Sequence, residues 1–331
     1  MGTAVDPSPL GSRSPIVAVV GVALGVVTVA ALVVLSVWAV VQGDDAGPDV
    51  EVLVAEAAFP AAVAPTPDGG LLYGERLTGR VRRVDAEGRV ATEPVAVVDV
   101  GPSPEGQRGL LGLTVDPDDP GRVFAAWTRA SDGRLVVGQV APGPERLVWE
   151  GPVSAELANG GRVLWRDGRL VVGIGDLLDG ERTDDPSAPN GKVISLDPDG
   201  PADQPFEVLS SGWNNPFALA LDAEGRVWVA DNAGGAGFER FGRADIGDAT
   251  RSDLVPADEP VAPAGLVALA DGRFAVCGYV SRELVEVEVD AAGEASYADE
   301  ALAPCAVAVV QLADGRVVVA DETSLSVVAA P

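Results

Sequence analysis

The sequence predicts an all-β fold, a six-bladed β-propeller preceded by a single N-terminal transmembrane helix. Three observations carry that expectation. A turn-plus-strand unit recurs six times along the chain. Short apolar runs alternate with Asp-Gly and Glu-Gly turns from residue 50 onward, with no convincing amphipathic helix among them. One uncharged apolar stretch, Ile16–Val41, stands apart from the rest.

That stretch comes first in the chain. Its 26 residues of Val, Ala, Leu and Gly exceed the roughly 20 needed to cross a hydrocarbon core. A secretory h-region is shorter, about 7–15 residues, so an uncleaved signal-anchor is expected over a secreted form. Arg13 precedes the run, and Asp44, Asp45 and Asp49 follow it. Positive charge on the N-terminal side keeps that end cytoplasmic. The expected organisation is therefore a cytoplasmic segment 1–15, a membrane helix 16–41, a linker 42–49 and an extracytoplasmic propeller 50–331.

The repeats follow. The turn-plus-strand units begin near Asp68, Pro120, Asp167, Glu224, Asp271 and Asp314, 43 to 57 residues apart. The most legible is Val163–Trp165, Arg166-Asp167-Gly168-Arg169, Leu170–Val172, two apolar runs flanking a hairpin turn. An apolar strand precedes each unit, and most units lead into a second hairpin, as at Val81–Val84 and Leu284–Val289. Four short strands at this period describe a propeller blade. The last repeat lacks an outer strand, whereas the alternating segment Val50–Ala55 lies ahead of the first. It is expected to complete the final blade and hide two edges. Cys277 is expected to end the second strand of blade five and Cys305 to begin the innermost strand of blade six, at the same rim of neighbouring blades, which makes them a disulfide candidate in an exported domain.

Composition narrows the chemistry. The chain has 23 basic and 50 acidic side chains, a net charge of −27, so nucleic acid is excluded as a partner. It has no histidine. That removes every histidine triad, histidine base and histidine metal site. The acidic run with Asp179, Glu181, Asp184 and Asp185 offers the oxygen ligands that calcium takes, but without a fixed ligand spacing.

From about Ala62 to Asp245 the chain resembles the glucose/sorbosone dehydrogenase family. The matching blocks are Gly106–Leu113 with Asp116-Pro117-Asp118, then Asn159–Arg162, Gly173–Asp176, Gly191–Gly200, and Asn215-Pro216 before Ala218–Ala220. The resemblance implies a six-bladed propeller using pyrroloquinoline quinone and calcium to oxidise aldoses. Position by position it implies Gln107 on the sugar side, Asp176 supporting the catalytic base, and Asn215 beside the quinone. Arg108, Asn159 and Arg162 fall in the matched blocks as candidate binding residues, Arg162 equally as a structural strut. The family's catalytic histidine is replaced by Ala158. In Gly212-Trp213-Asn214-Asn215-Pro216, Trp213 and Asn214 stand where the family carries histidine and a quinone-contacting arginine. The calcium loop corresponds to Asp231–Gly235 and departs from the family's pattern.

A base positioned on the reacting hydroxyl is worth about 10²–10⁴ in rate, and alanine cannot supply one. The expectation is a propeller without redox chemistry that binds a sugar-like molecule or a protein. Two alternatives remain open: an active aldose dehydrogenase using Asp176 as base, and a divalent-metal sugar lactonase using Glu75, Asn215 and Asp231.

Overall fold

Innermost strands set the architecture. Strands are numbered β1–β24 along the chain, and each blade is an antiparallel sheet of four. β2–β5 (residues 62–97) form blade one, β6–β9 (110–153) blade two, β10–β13 (160–211) blade three, β14–β17 (218–253) blade four and β18–β21 (263–304) blade five. The innermost strands are β2 (Ala62–Pro65), β6 (Leu110–Val115), β10 (Gly160–Arg166), β14 (Ala218–Leu221), β18 (Pro263–Ala268) and β22 (Ala308–Gln311). Each packs on the next, and β22 returns to β2. The ring is closed. The computed structural model describes residues 50–232, 239–245, 251–254, 260–290, 292 and 294–328.

Local sequence explains the hairpins. Between β10 and β11 (Arg169–Ile174), Asp167 and Gly168 have φ of 50° and 75°, the two positive values a type I′ turn needs. All six turn-plus-strand units of the sequence occupy the first hairpin of their blades. The core lies between blades. Trp228, Phe241 and Phe274 interlock across blades four and five with ring centroids 4.7–5.2 Å apart.

Blade six is assembled from both ends of the domain. β1 (Val50–Val54) pairs antiparallel with β24 (Leu325–Val328), Val50 opposite Val328 and Val54 opposite Leu325. The order β1-β24-β23-β22, with β23 at Val317–Ala320, is the closure expected from the missing outer strand. Among the described residues no helix is long and apolar enough to cross a membrane. The segments 1–15, 16–41 and 42–49 lie outside the described residues.

Cys277 and Cys305 are bonded, with Cα atoms 5.3 Å apart. Cys277 belongs to β19 (Phe274–Gly278). Cys305 follows β21 (Ala295–Pro304) rather than opening the innermost strand of blade six. The amides of Ala306 and Val307 both donate to the Ala320 carbonyl, at 3.0 and 2.9 Å. That shared acceptor delays the regular ladder to Ala308. Because the bond spans a separation of 28 residues, replacing both cysteines by alanine is expected to destabilise the domain by about 3 kcal/mol. Denaturant unfolding of the double variant measures this; an unchanged midpoint contradicts it.

Candidate functional site

A mouth opens at the end of the ring where the six innermost strands begin. About 190 Å³ of space is bounded by Phe59 and Ala61 ahead of β2, by Pro104–Gln107 ahead of β6, and by Asn215 and Phe217 ahead of β14. Arg76, Leu111, Leu157, Asn232, Pro263, Ala264, Tyr279 and Val307 complete the wall. A larger hollow of about 520 Å³ opens at the opposite end.

Arg162 stands between the two. From blade three its Nε donates to Phe217 O at 3.1 Å, its Nη1 to Ala61 O at 2.8 Å and its Nη2 to Ala264 O at 2.7 Å. Those acceptors belong to blades four, one and five. The guanidinium also stacks on the Phe217 ring at 4.5 Å. Burial alone pulls its pKa down to about 10, so it stays charged at neutral pH. Arg162 is a strut across the axis.

Asp231, fully buried, organises the next layer. Its Oδ1 accepts the Asn215 amide at 2.7 Å, its Oδ2 accepts the Asn214 amide at 3.0 Å, and Arg240 pairs with Oδ2. Asn215 then accepts the Gly160 amide at 2.9 Å and donates to Gln107 Oε1 at 3.3 Å. The same Gln107 oxygen accepts the Ala158 amide at 2.7 Å. One chain of hydrogen bonds thus ties the loops of blades two, three and four around the mouth. Gln107, Asn232 and Tyr279 all line the mouth.

The other residues singled out from the sequence lie elsewhere. Asp176 Oδ1 accepts the Leu178 amide at 2.8 Å and Oδ2 accepts Asn214 Nδ2 at 2.7 Å; it does not line the mouth. It holds a turn in which Leu177 and Leu178 both have positive φ, 59° and 61°. A Cβ on the preceding Gly175 would collide with the Ala158 carbonyl, which explains glycine there. Arg108 pairs with Glu156. Asn159 is fully buried and donates to Ala155 O at 3.0 Å. Trp213 packs with Val171, Val193 and Leu219 between blades three and four, its Nε1 donating to Ser210 Oγ at 2.7 Å.

The acidic candidates do not converge. Asp185 Oδ1 accepts the Ser187 amide and hydroxyl at 2.9 and 2.6 Å, and those bonds, the hydroxyl first, lower its pKa. Asp184 is exposed at the end of the short 3₁₀ turn Gly180–Asp184. Glu75 is engaged by Arg82 at 3.0 Å and is not part of the mouth. Among the described residues no three Asp, Glu, Cys or His side chains are grouped to hold a metal. Residues 233–235 of the loop Asp231–Gly235 lie outside the described residues.

Sequence reasoning missed Arg76, Asn232 and Tyr279. The repeat itself carried the signal. Each follows the second strand of its blade by one or two residues, after Gly74, Asp231 and Gly278 respectively. That register position faces the mouth.

The family model described as Glucose / Sorbosone dehydrogenase matches residues 57–239, more than half of the 331 residues. The chain belongs to this family. Among solved structures it is similar to an oxidoreductase described as a glucose dehydrogenase from Thermus thermophilus, at 24% identity and a TM-score of 0.69, covering 86% of this chain and 100% of that one. The PQQ-bound aldose sugar dehydrogenase of Streptomyces coelicolor is similar at 23% identity and a TM-score of 0.65, covering 86% and 98%. A gluconolactonase from Xanthomonas campestris shares the fold at 14% identity and a TM-score of 0.58, covering 85% and 89%. At such identities the likeness is one of fold. No curated protein matches.

Asp231→Ala removes the acceptor for the Asn214 and Asn215 amides and leaves the Arg240 guanidinium without its carboxylate partner, with the Gly212 carbonyl still accepting from Nη1 at 2.9 Å. The expected loss is about 3–5 kcal/mol, read by denaturant unfolding. Asp184→Ala, at an exposed position, is expected to change stability by less than about 0.5 kcal/mol.

Proposed function

We propose that this chain is a membrane-tethered, extracytoplasmic propeller of the glucose/sorbosone dehydrogenase family that binds a ligand in its mouth and does not oxidise sugars. The observation that carries this reading is Ala158. Its methyl group stands where the family implies the base. Its φ is 55°, and its backbone is held on both sides, by Gln107 and by the Leu177 amide at 3.0 Å. With no histidine in the chain, nothing else supplies an imidazole. Asp176, the obvious substitute, has both oxygens engaged away from the mouth.

The donor set argues the same way. Pyrroloquinoline quinone carries three carboxylates, which call for several free cationic forks. Arg162 is committed to three carbonyls, Arg108 to Glu156, and Arg76 Nη1 to three further carbonyls. Glu105 adds negative charge at the lip. The quinone does not fit these residues. Ile16–Val41 supplies the tether, and Arg13 on one side with Asp44 and Asp45 on the other directs the propeller outward.

With quinone, calcium and an aldose supplied, dye reduction by the full chain is expected to stay at the blank rate. Ala158→His is expected to leave it there, because Asn214 still replaces the arginine. Aldose-dependent reduction by the wild-type chain would falsify the reading. Protease added outside intact cells is expected to degrade the propeller; full protection there would refute the orientation.

A further inference from the structure

Two aromatic rings in the wall of the mouth are held from several directions at once. Phe59 has a φ of 60°, a left-handed conformation that bulky residues rarely adopt. Three backbone bonds keep it there: its amide donates to Glu322 O at 2.9 Å, and its carbonyl accepts the Ala61 and Arg76 amides at 2.8 and 2.9 Å. The Arg76 guanidinium lies over its ring at 4.0 Å. Phe217 is clamped similarly, by the Arg162 guanidinium over its ring at 4.5 Å and by the Arg162 Nε bond to its carbonyl. Left-handed residues recur at this end of the ring. Phe59, Ala158 and Ala262 each precede the innermost strand of an alternate blade, one, three and five, with φ of 60°, 55° and 57°. Strain that the surroundings hold in place collects where a ligand is gripped.

Charge in the wall is spent before any ligand arrives. Arg76 Nη1 donates to the carbonyls of Ser103, Gly106 and Arg108, Nη2 donates to Pro104 O, and Nε is closed to solvent. Arg162 gives all three nitrogens to carbonyls. An anion therefore meets no fork to grip it, in a chain whose net charge of −27 already opposes it. A cation meets rings that each have a guanidinium on one face, which works against a second positive charge on the other. The amides are engaged as well: Gln107 Oε1 accepts two bonds, and Asn215 uses both its oxygen and its nitrogen. A sugar would lose water from many hydroxyls and find few partners.

Size and lip complete the description. The space of about 190 Å³ is a little more than the roughly 150 Å³ of an apolar cavity that takes up one benzene. Leu157 and Tyr279 stand at the lip 45% and 46% exposed, apolar surface that a bound ring covers. We propose that the mouth binds a neutral molecule with a single aromatic ring, the ring lying against Phe59, Phe217 and Leu157. This rests on the mouth being the ligand site of the preceding reading.

Benzyl alcohol, D-glucose, benzoate anion and benzylammonium cation are the probes. Each is titrated calorimetrically into the full chain in detergent, with the detergent blank subtracted. Benzyl alcohol is expected to bind saturably, one to one, and at least about tenfold tighter than the other three, which bring charge or many hydroxyls to a wall with few partners for them. Leu157→Asp places a carboxylate at an exposed lip position and is expected to weaken benzyl alcohol at least about tenfold. Ala313→Asp, in the hollow at the opposite end, is expected to leave it unchanged. If Leu157→Asp does not fold, the comparison of the four probes and the Ala313→Asp result still decide. The proposal is overturned by absence of saturable benzyl alcohol binding, by any other probe binding as tightly, by unaltered affinity in a folded Leu157→Asp chain, or by loss of binding in Ala313→Asp. Aldose-dependent dye reduction would defeat the preceding reading alone; benzyl alcohol still outbinding D-glucose would then uphold this one.

Discussion

The molecule depends on a cation placed where a ring of sheets would otherwise have only a gap. Six blades leave their innermost strands facing one another across an axis, and nothing in strand pairing links blades that are not neighbours. The Arg162 guanidinium does so, joining blade three to carbonyls of blades one and five as well as of its neighbour, blade four. Planarity matters here. A lysine would offer a point charge, whereas the fork of arginine reaches three carbonyls in three directions. Its buried charge strengthens each of those bonds, because they lie in a low-dielectric interior.

The mouth is built on that strut. Phe217, Ala61 and Ala264 each give Arg162 a carbonyl and turn their remaining surface into the cavity. Around them the chain from Asp231 through Asn215 and Gln107 to Ala158 fixes the loops. Asn215 and Gln107 keep structural bonds that hold loops together. In the function proposed above, Ala158 and Asn214 are the positions where the family resemblance implies chemistry.

Blade count, hairpin turns and the β1–β24 closure were legible in the sequence because they depend on local pattern. Asp-Gly turns and alternating strands carry their own geometry. The roles of Arg162 and Arg76 were not legible. Their partners are backbone carbonyls, 101 residues away for Ala61 and 30 for Gly106, and a carbonyl leaves no mark on sequence. The bonds of Asp176 were not legible for a related reason. Its place in the Gly-Ile-Gly-Asp block suggests chemistry, but the two left-handed leucines after it need a turn cap, and its Oδ1 serves that need. Cys305 shows the limit at a boundary, where two amides sharing one acceptor shifted a strand start by a few residues.

The pairing of β1 with β24 has a consequence for assembly. The outer strand of the last blade is made some 270 residues before its neighbour, as the register Val50 opposite Val328 implies. During synthesis, β1 must wait with an open edge, and blade one forms beside a sector not yet present. Order cannot simply spread from one end, as in a linear repeat array. The toroid locks only when its final hairpin arrives, so an interrupted polypeptide ends as an open arc with two bare borders.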